Sequence, residues 1–406
     1  MKMKYSFPPA VACAGFFAAI IMLGCANSVD PVARGIDPGT QDPDPMDRDF
    51  DSTIIHIGRA PGSIEAADFN NDSFPDIVVA NTEDSSVTIL LNDGKGHFTP
   101  APGSPFMANR FPNDIGIADF NKDGNLDLGI ANTEVSELTV LLGNGKGQFQ
   151  QCPKSPFAVR SRPHTHGIAI ADFNGDGFLD LATDDWGENK VKIIFGDATM
   201  SFGGEAAYSV GNRPYQRLRA ADVNGDGKPD IVTTNLEGNN ATVLLGQGDG
   251  KFQEAEGSPF ACGSAPFGVA IGDINGDGHA DLAIVNSPTI TSESKGKDGL
   301  WILLGDGAGK FHPMKGSPFA TGKSPSRLAI GDLNGDKIND IAVTNYNDRS
   351  ITIFYMGKAG VEKIKTIPVG SRPDGICIRD LNNDGKNDIA VSNFDDGTIM
   401  LFFNAR

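Results

Sequence analysis

The sequence predicts an all-β fold, a seven-bladed β-propeller of four-stranded blades, on three observations. A motif Asp-x-Asn-x-Asp-x-x-x-Asp recurs seven times, starting at Asp68, Asp119, Asp172, Asp222, Asp273, Asp332 and Asp380, at intervals of 48 to 59 residues. Each copy sits inside the same series of short strand patterns. A surplus strand before the first copy matches a deficit after the last. Repeats of this period are units that bury their apolar faces only against one another.

The chain of 406 residues carries 52 acidic against 34 basic side chains, a formal charge of −18. Phosphate backbones are bound by basic surfaces, so nucleic acid is excluded as a partner. Fifty glycines and 25 prolines between short apolar runs fit tight turns joining strands, and 39% hydrophobic residues suffice for a core.

In chain order, Lys2 and Lys4 precede an apolar run from Val11 to Leu23. That run is shorter than the roughly 20 residues a membrane-spanning helix needs, so residues 1–24 read as a signal peptide. They end at Met22-Leu23-Gly24-Cys25, which resembles the lipobox of bacterial lipoproteins. The resemblance implies cleavage before Cys25, a lipid on its thiol, and an exported protein held at the cell envelope, on the outer membrane or surface. The lipid would be its sole link to the membrane. Of the other cysteines, Cys13 lies in the leader, and Cys152, Cys262 and Cys377 fall in three different repeats, so no disulfide framework is expected. Residues 25–50, rich in Asp and Pro without apolar period, read as a solvated tether.

Residues 51–406 hold the blades. An apolar alternation such as Gly167-Ile168-Ala169-Ile170-Ala171 leads into each motif as a first strand. A second follows its last Asp (Asp340-Ile341-Ala342-Val343-Thr344-Asn345), and a third follows a polar turn (Ser350-Ile351-Thr352-Ile353-Phe354). A glycine-rich turn then opens a fourth, irregular strand near residues such as Phe149. These turns join strands and open no helix, so they are hairpin turns and not phosphate cradles. Ser-Pro-Phe triplets at Ser104, Ser155, Ser258 and Ser317 fall on the fourth strand, where proline is tolerated at an edge. They read as packing. The seventh unit stops after its third strand, and Ser52–Ile57 is the surplus strand that would complete it and close the ring.

Within each motif, oxygen side chains at positions 1, 3, 5 and 9 and the carbonyl of position 7 converge as the chain curls. This is an all-oxygen set without Cys or His, suited to Ca²⁺. The candidate ligands are Asp68, Asn70, Asp72 and Asp76 in the first copy and Asp119, Asn121, Asp123 and Asp127 in the second. Asp172, Asn174, Asp176 and Asp180, then Asp222, Asn224, Asp226 and Asp230, follow in the third and fourth. The last three copies supply Asp273, Asn275, Asp277 and Asp281; Asp332, Asn334, Asp336 and Asp340; and Asp380, Asn382, Asp384 and Asp388. Up to seven ions would bring the charge from −18 to about −4. Carboxylates so crowded repel one another without a cation.

These loops resemble the calcium loops of FG-GAP and VCBS-type repeats, the blades of integrin α-chain propellers and of many bacterial surface proteins. The resemblance covers roughly residues 52–406 and implies an ion between the first and second strands of each blade. For the third copy it implies Phe178 as the carbonyl ligand. Ser73 and Lys337 replace the position-6 glycine, which implies weaker sites at Asp68 and Asp332.

The opposite face would carry the segments entering first strands and those joining second to third strands. His164, His166, Arg213, Tyr215 and Arg372 lie in the first set; Trp186, Tyr346 and Phe394 lie in the second. Converging around the axis, they would make a surface for a carbohydrate or an envelope or surface protein. A monomeric binding, adhesion or scaffold module, not an enzyme, is the expectation. The alternative is a polysaccharide-cleaving enzyme of lyase or hydrolase type with its site on the axial face.

Overall fold

The last Asp of every motif opens a strand buried along its whole length. The seven are Asp76–Asn81, Asp127–Asn132, Asp180–Asp185, Asp230–Asn235, Asp281–Asn286, Asp340–Asn345 and Asp388–Asn393. A strand covered on both faces needs consecutive apolar residues, as in Ile77-Val78-Val79-Ala80. The computed structural model describes residues 50–161, 164–289 and 296–405. The leader, Cys25 and the tether up to residue 49 lie outside the described residues, as do Arg162 and Pro163.

Each buried strand pairs antiparallel with a first strand on one side and a third on the other, as Pro61–Ala67, Asp76–Asn81 and Ser86–Asn92 do in blade 1. The first strands line up side by side, and the circuit closes from Pro373–Arg379 of blade 7 back to Pro61–Ala67 of blade 1. The fold is an all-β, seven-bladed propeller. Seven apolar clusters lie between neighbouring blades, one per junction. Cys152, Cys262 and Cys377 are free and buried in three of them.

The fourth strands come in two forms. In blades 3 and 6 they are continuous, Gly203–Ser209 and Gly360–Pro368. In blades 1, 2, 4 and 5 a Ser-Pro-Phe triplet interrupts them. There the serine hydroxyl takes over as acceptor for the third strand: Ser104 Oγ from Ile89 N–H, Ser155 from Val140, Ser258 from Val243, Ser317 from Ile302, at 2.9–3.1 Å. The phenylalanine turns into the core, Phe106 against Phe149 and Phe157 against Phe202.

Blade 7 takes its fourth strand from the other end of the chain. Phe50–His56 pairs antiparallel with Thr398–Asn404 over seven residue pairs, Phe50 opposite Asn404 and His56 opposite Thr398. It starts one residue earlier than the tether boundary expected from sequence. Asn92 Nδ2 donating to Leu381 O and Ser392 Oγ donating to Gly62 O tie the same two blades together.

Candidate functional site

The seven motif loops have one geometry. The position-1 carboxylate accepts the position-6 N–H at 2.7–2.9 Å in every copy. Asn at position 3 accepts the position-5 N–H, and Asp at position 5 the position-7 N–H. This closure needs a left-handed residue at position 6. Ser73 (φ 75°) and Lys337 (φ 71°) adopt it as the glycines do, at the strain a Cβ brings there. The departure from glycine therefore leaves the backbone path unchanged.

Position 9 behaves differently from positions 1, 3 and 5. Asp76 is fully buried, one oxygen accepting Phe69 N–H at 2.9 Å and the other Asn92 N–H at 2.8 Å. Its six counterparts make the same two bonds, pinning the loop's start to the end of the third strand. Burial pushes Asp76, Asp127, Asp180, Asp230, Asp340 and Asp388 up to about 6, with the loop's other aspartates adding to the rise. The sequence reading missed this clamp. The loops offer only hard oxygen donors, which fit Ca²⁺. Among the described residues no group of three or more His, Cys, Asp or Glu side chains is set to hold a metal. An ion here would thus depend on the Asn and carbonyl oxygens as well.

On the axis, alternate residues of the first strands point inward. Asp114 receives Arg217 at 2.5 Å and Arg219 at 3.1 Å, with Arg327 at 3.6 Å; Arg327 also reaches Asp374 at 3.2 Å. At Gly268 and Gly375 a Cβ would meet the backbone of the neighbouring first strand, at Ser326 O and Gly62 O, so the strands approach closely here; the cavity they line with Arg217, Arg219 and Arg327 is about 30 Å³, room for water alone. Glu65 lines the same cavity, and burial pushes its carboxyl up to about 7. Asp114, Arg219, Arg327 and Glu65 were not singled out in the sequence, because single residues in an apolar alternation read as core.

Contacts gather the eight residues expected on this face into two groups, over separate blade junctions. One group lies over blades 6 and 7: Tyr346 and Phe394 are 6.5 Å apart and the Arg372 guanidinium lies 5.5 Å from the Tyr346 ring, held by Asp395 at 3.3 Å.

The larger group lies over blades 3 and 4. His166 sits 4.7 Å from His164, 6.1 Å from Trp186 and 4.2 Å from Tyr215, which touches Phe267 at 5.9 Å. Arg213 lies over the Trp186 ring at 4.6 Å and bonds Glu237 at 2.6 Å. Trp186 is half-buried in the turn that follows Asp180–Asp185, the strand that includes Asp184 and Asp185. Its indole Nε1 and the Arg213 Nε are both buried with no acceptor among the described residues.

Beneath these rings Asp184, fully buried, accepts three donors: His166 Nδ1 at 2.9 Å, His166 N–H at 3.0 Å and Gly167 N–H at 2.9 Å. His166 is 1% exposed, and its Nε2 lies 3.1 Å from His164 Nε2. Burial first and His166 second push His164 down to about 4. The signal that finds Asp184 is the comparison of repeats: the same place in the other second strands holds Ala80, Ala131, Thr234, Val285, Thr344 and Ser392. One residue on, Asp185 pairs with Lys192 at 2.8 Å where other blades bond Asn to Thr, as Asn81 does to Thr88.

Solved structures share this fold at low sequence identity. A putative 6-phosphogluconolactonase from Bacteroides fragilis matches with TM-score 0.59 and 16% identity, over 87% of this chain and 100% of that one. Virginiamycin B lyase from Staphylococcus aureus matches with TM-score 0.53 and 15% identity, over 87% and 99%. The periplasmic gluconolactonase of Pseudomonas aeruginosa matches with TM-score 0.56 and 16% identity, over 77% and 86%. A search of the curated proteins finds no match. The model of the FG-GAP-like repeat matches residues 68–130, 119–183, 222–284 and 332–391, each match running from one motif loop through the next. More than half of the chain is thereby covered, and the protein belongs to the FG-GAP-like repeat family.

Proposed function

We propose that this protein is an exported, lipid-anchored propeller, stabilised by calcium in its motif loops, that binds a carbohydrate through the rings over blades 3 and 4. The observation that carries the ligand face is one cluster of His164, His166, Trp186, Tyr215 and Arg213 with two buried, unpaired donors, Trp186 Nε1 and Arg213 Nε. Aromatic faces stack on sugar rings, and unpaired N–H groups await hydroxyl or carboxylate oxygens. In the loops, Asp, Asn and carbonyl oxygens would hold Ca²⁺, which would neutralise crowded carboxylates.

A second reading, a polysaccharide-cleaving enzyme, is favoured by the Asp184–His166–His164 chain, an oriented imidazole pair of the kind proton transfer uses. A glycan array separates the readings. Trp186→Ala and Tyr215→Ala are expected to lose binding by about thirtyfold, near 2 kcal/mol, with little change in melting temperature. Breakdown of the bound glycan by wild type and not by His164→Ala would establish the enzyme. Full binding by a folded double aromatic variant would remove this face as the working surface.

A further inference from the structure

We infer that His164 and His166 form a site for one divalent transition ion, chemically separate from the oxygen-lined motif loops. His164-Thr165-His166, just ahead of the strand Ala169–Ala171, brings two imidazoles together over blade 3, ring centres 4.7 Å apart. Asp184 accepts from His166 Nδ1, so that nitrogen carries the proton and Nε2 presents a bare lone pair. A buried carboxylate that fixes a histidine tautomer in this way is the usual support of a metal-ligating imidazole. His164 directs its own Nε2 at the same point, 3.1 Å away. Without metal, His164 donates one proton across that gap. An ion can take the proton's place, with His164 moving its proton to Nδ1.

The separation suits the exchange. With Zn–N bonds of about 2.05 Å, a gap of 3.1 Å subtends about 98° at the ion, between octahedral and tetrahedral angles. Two nitrogen donors select Zn²⁺, Cu²⁺ or Ni²⁺ over Ca²⁺. No third His, Cys, Asp or Glu joins the pair among the described residues. The remaining positions fall to water or to an incoming ligand, beneath Trp186 and Tyr215. Only this last role rests on the ligand-face reading; the ion's binding does not.

The test is calorimetric titration of Zn²⁺ into the purified chain under saturating Ca²⁺, so that the motif loops are already filled. One equivalent is expected for wild type. His164→Ala, a change at a half-buried ring, and Asp184→Asn should each weaken it at least tenfold while keeping the wild-type calcium-dependent melting curve. Cu²⁺ should quench Trp186, which lies 6.1 Å from both imidazoles, and should not do so in His164→Ala. Absence of Zn²⁺ uptake, or equal uptake by folded His164→Ala, overturns the site. Zn²⁺ uptake by a protein that binds no glycan would instead retire the ligand-face reading and leave the metal site standing.

Discussion

The ninth motif residue combines two roles that single substitutions can separate. Asp180 joins the loop to the third strand through buried bonds to Phe173 and Gly196, whereas Asp176 only fastens an exposed turn. Removing Asp180 leaves two buried N–H groups without acceptors, each costing about 1–3 kcal/mol. In EDTA, Asp180→Ala should therefore melt well below wild type and Asp176→Ala close to it; equal losses would refute the clamp. Glu65 gives a pH test. Its folded value of about 7 lies above its ordinary 4.5, so the folded state holds the proton longer than the unfolded chain. Its contribution is complete below about 4.5 and is lost as pH rises through about 7. Glu65→Gln should gain on wild type in melting temperature between pH 5 and pH 8, and parallel curves would sink the assignment. Both groups show where residue reading stops. The motif announces Asp180 as an oxygen donor, but its bond to Gly196 joins residues 16 apart that become neighbours only in the sheet. His164 and His166 are conspicuous in the sequence, while the bond by which Asp184 orients His166 joins residues 18 apart that meet only in the folded blade.

Among elements, the first three strands of each blade were legible because one motif marks their order, and the surplus strand found its partner as the count required. The split fourth strands were not. Proline predicts an edge, but nothing local says that the preceding serine will replace the missing backbone acceptor fifteen residues away, as Ser104 does for Ile89. The grouping of the aromatics was not legible for a related reason: strand order says which loops share a face, not which rings touch, as His166 and Tyr215 do. The closing strand supplies the element-scale prediction. Although mostly exposed, Phe50–His56 completes a sheet and lays Ile55 against the blade 7–blade 1 core. Deleting Asp51 to Gly58 should lower the melting temperature sharply by baring the edge of Thr398–Asn404, whereas deleting Ala26 to Gln41 should leave it nearly unchanged. Equal melting of the two truncations would show that closure does not depend on this strand.

Across the whole molecule, charge and stability meet in the loops. Seven copies of one acidic turn on one face concentrate much of a −18 charge there, so calcium would act on the entire ring. At 100 times the dissociation constant each independent site adds about 2.7 kcal/mol. The expected outcome is a large fall in melting temperature in EDTA, restored by Ca²⁺ better than by Mg²⁺, with several ions per chain by elemental analysis. Identical melting in EDTA and in millimolar Ca²⁺ would remove calcium from the account. The ring's closure also has a mechanical side. Phe50 lies directly opposite Asn404, so the two ends of the described chain leave from the same corner of blade 7. Tension applied between them would not load the seven pairs together in shear. It would open them one at a time, as a zipper opens, starting at that corner. Blade 7 is then the point of least resistance to force, however firmly the face of the motif loops holds against heat.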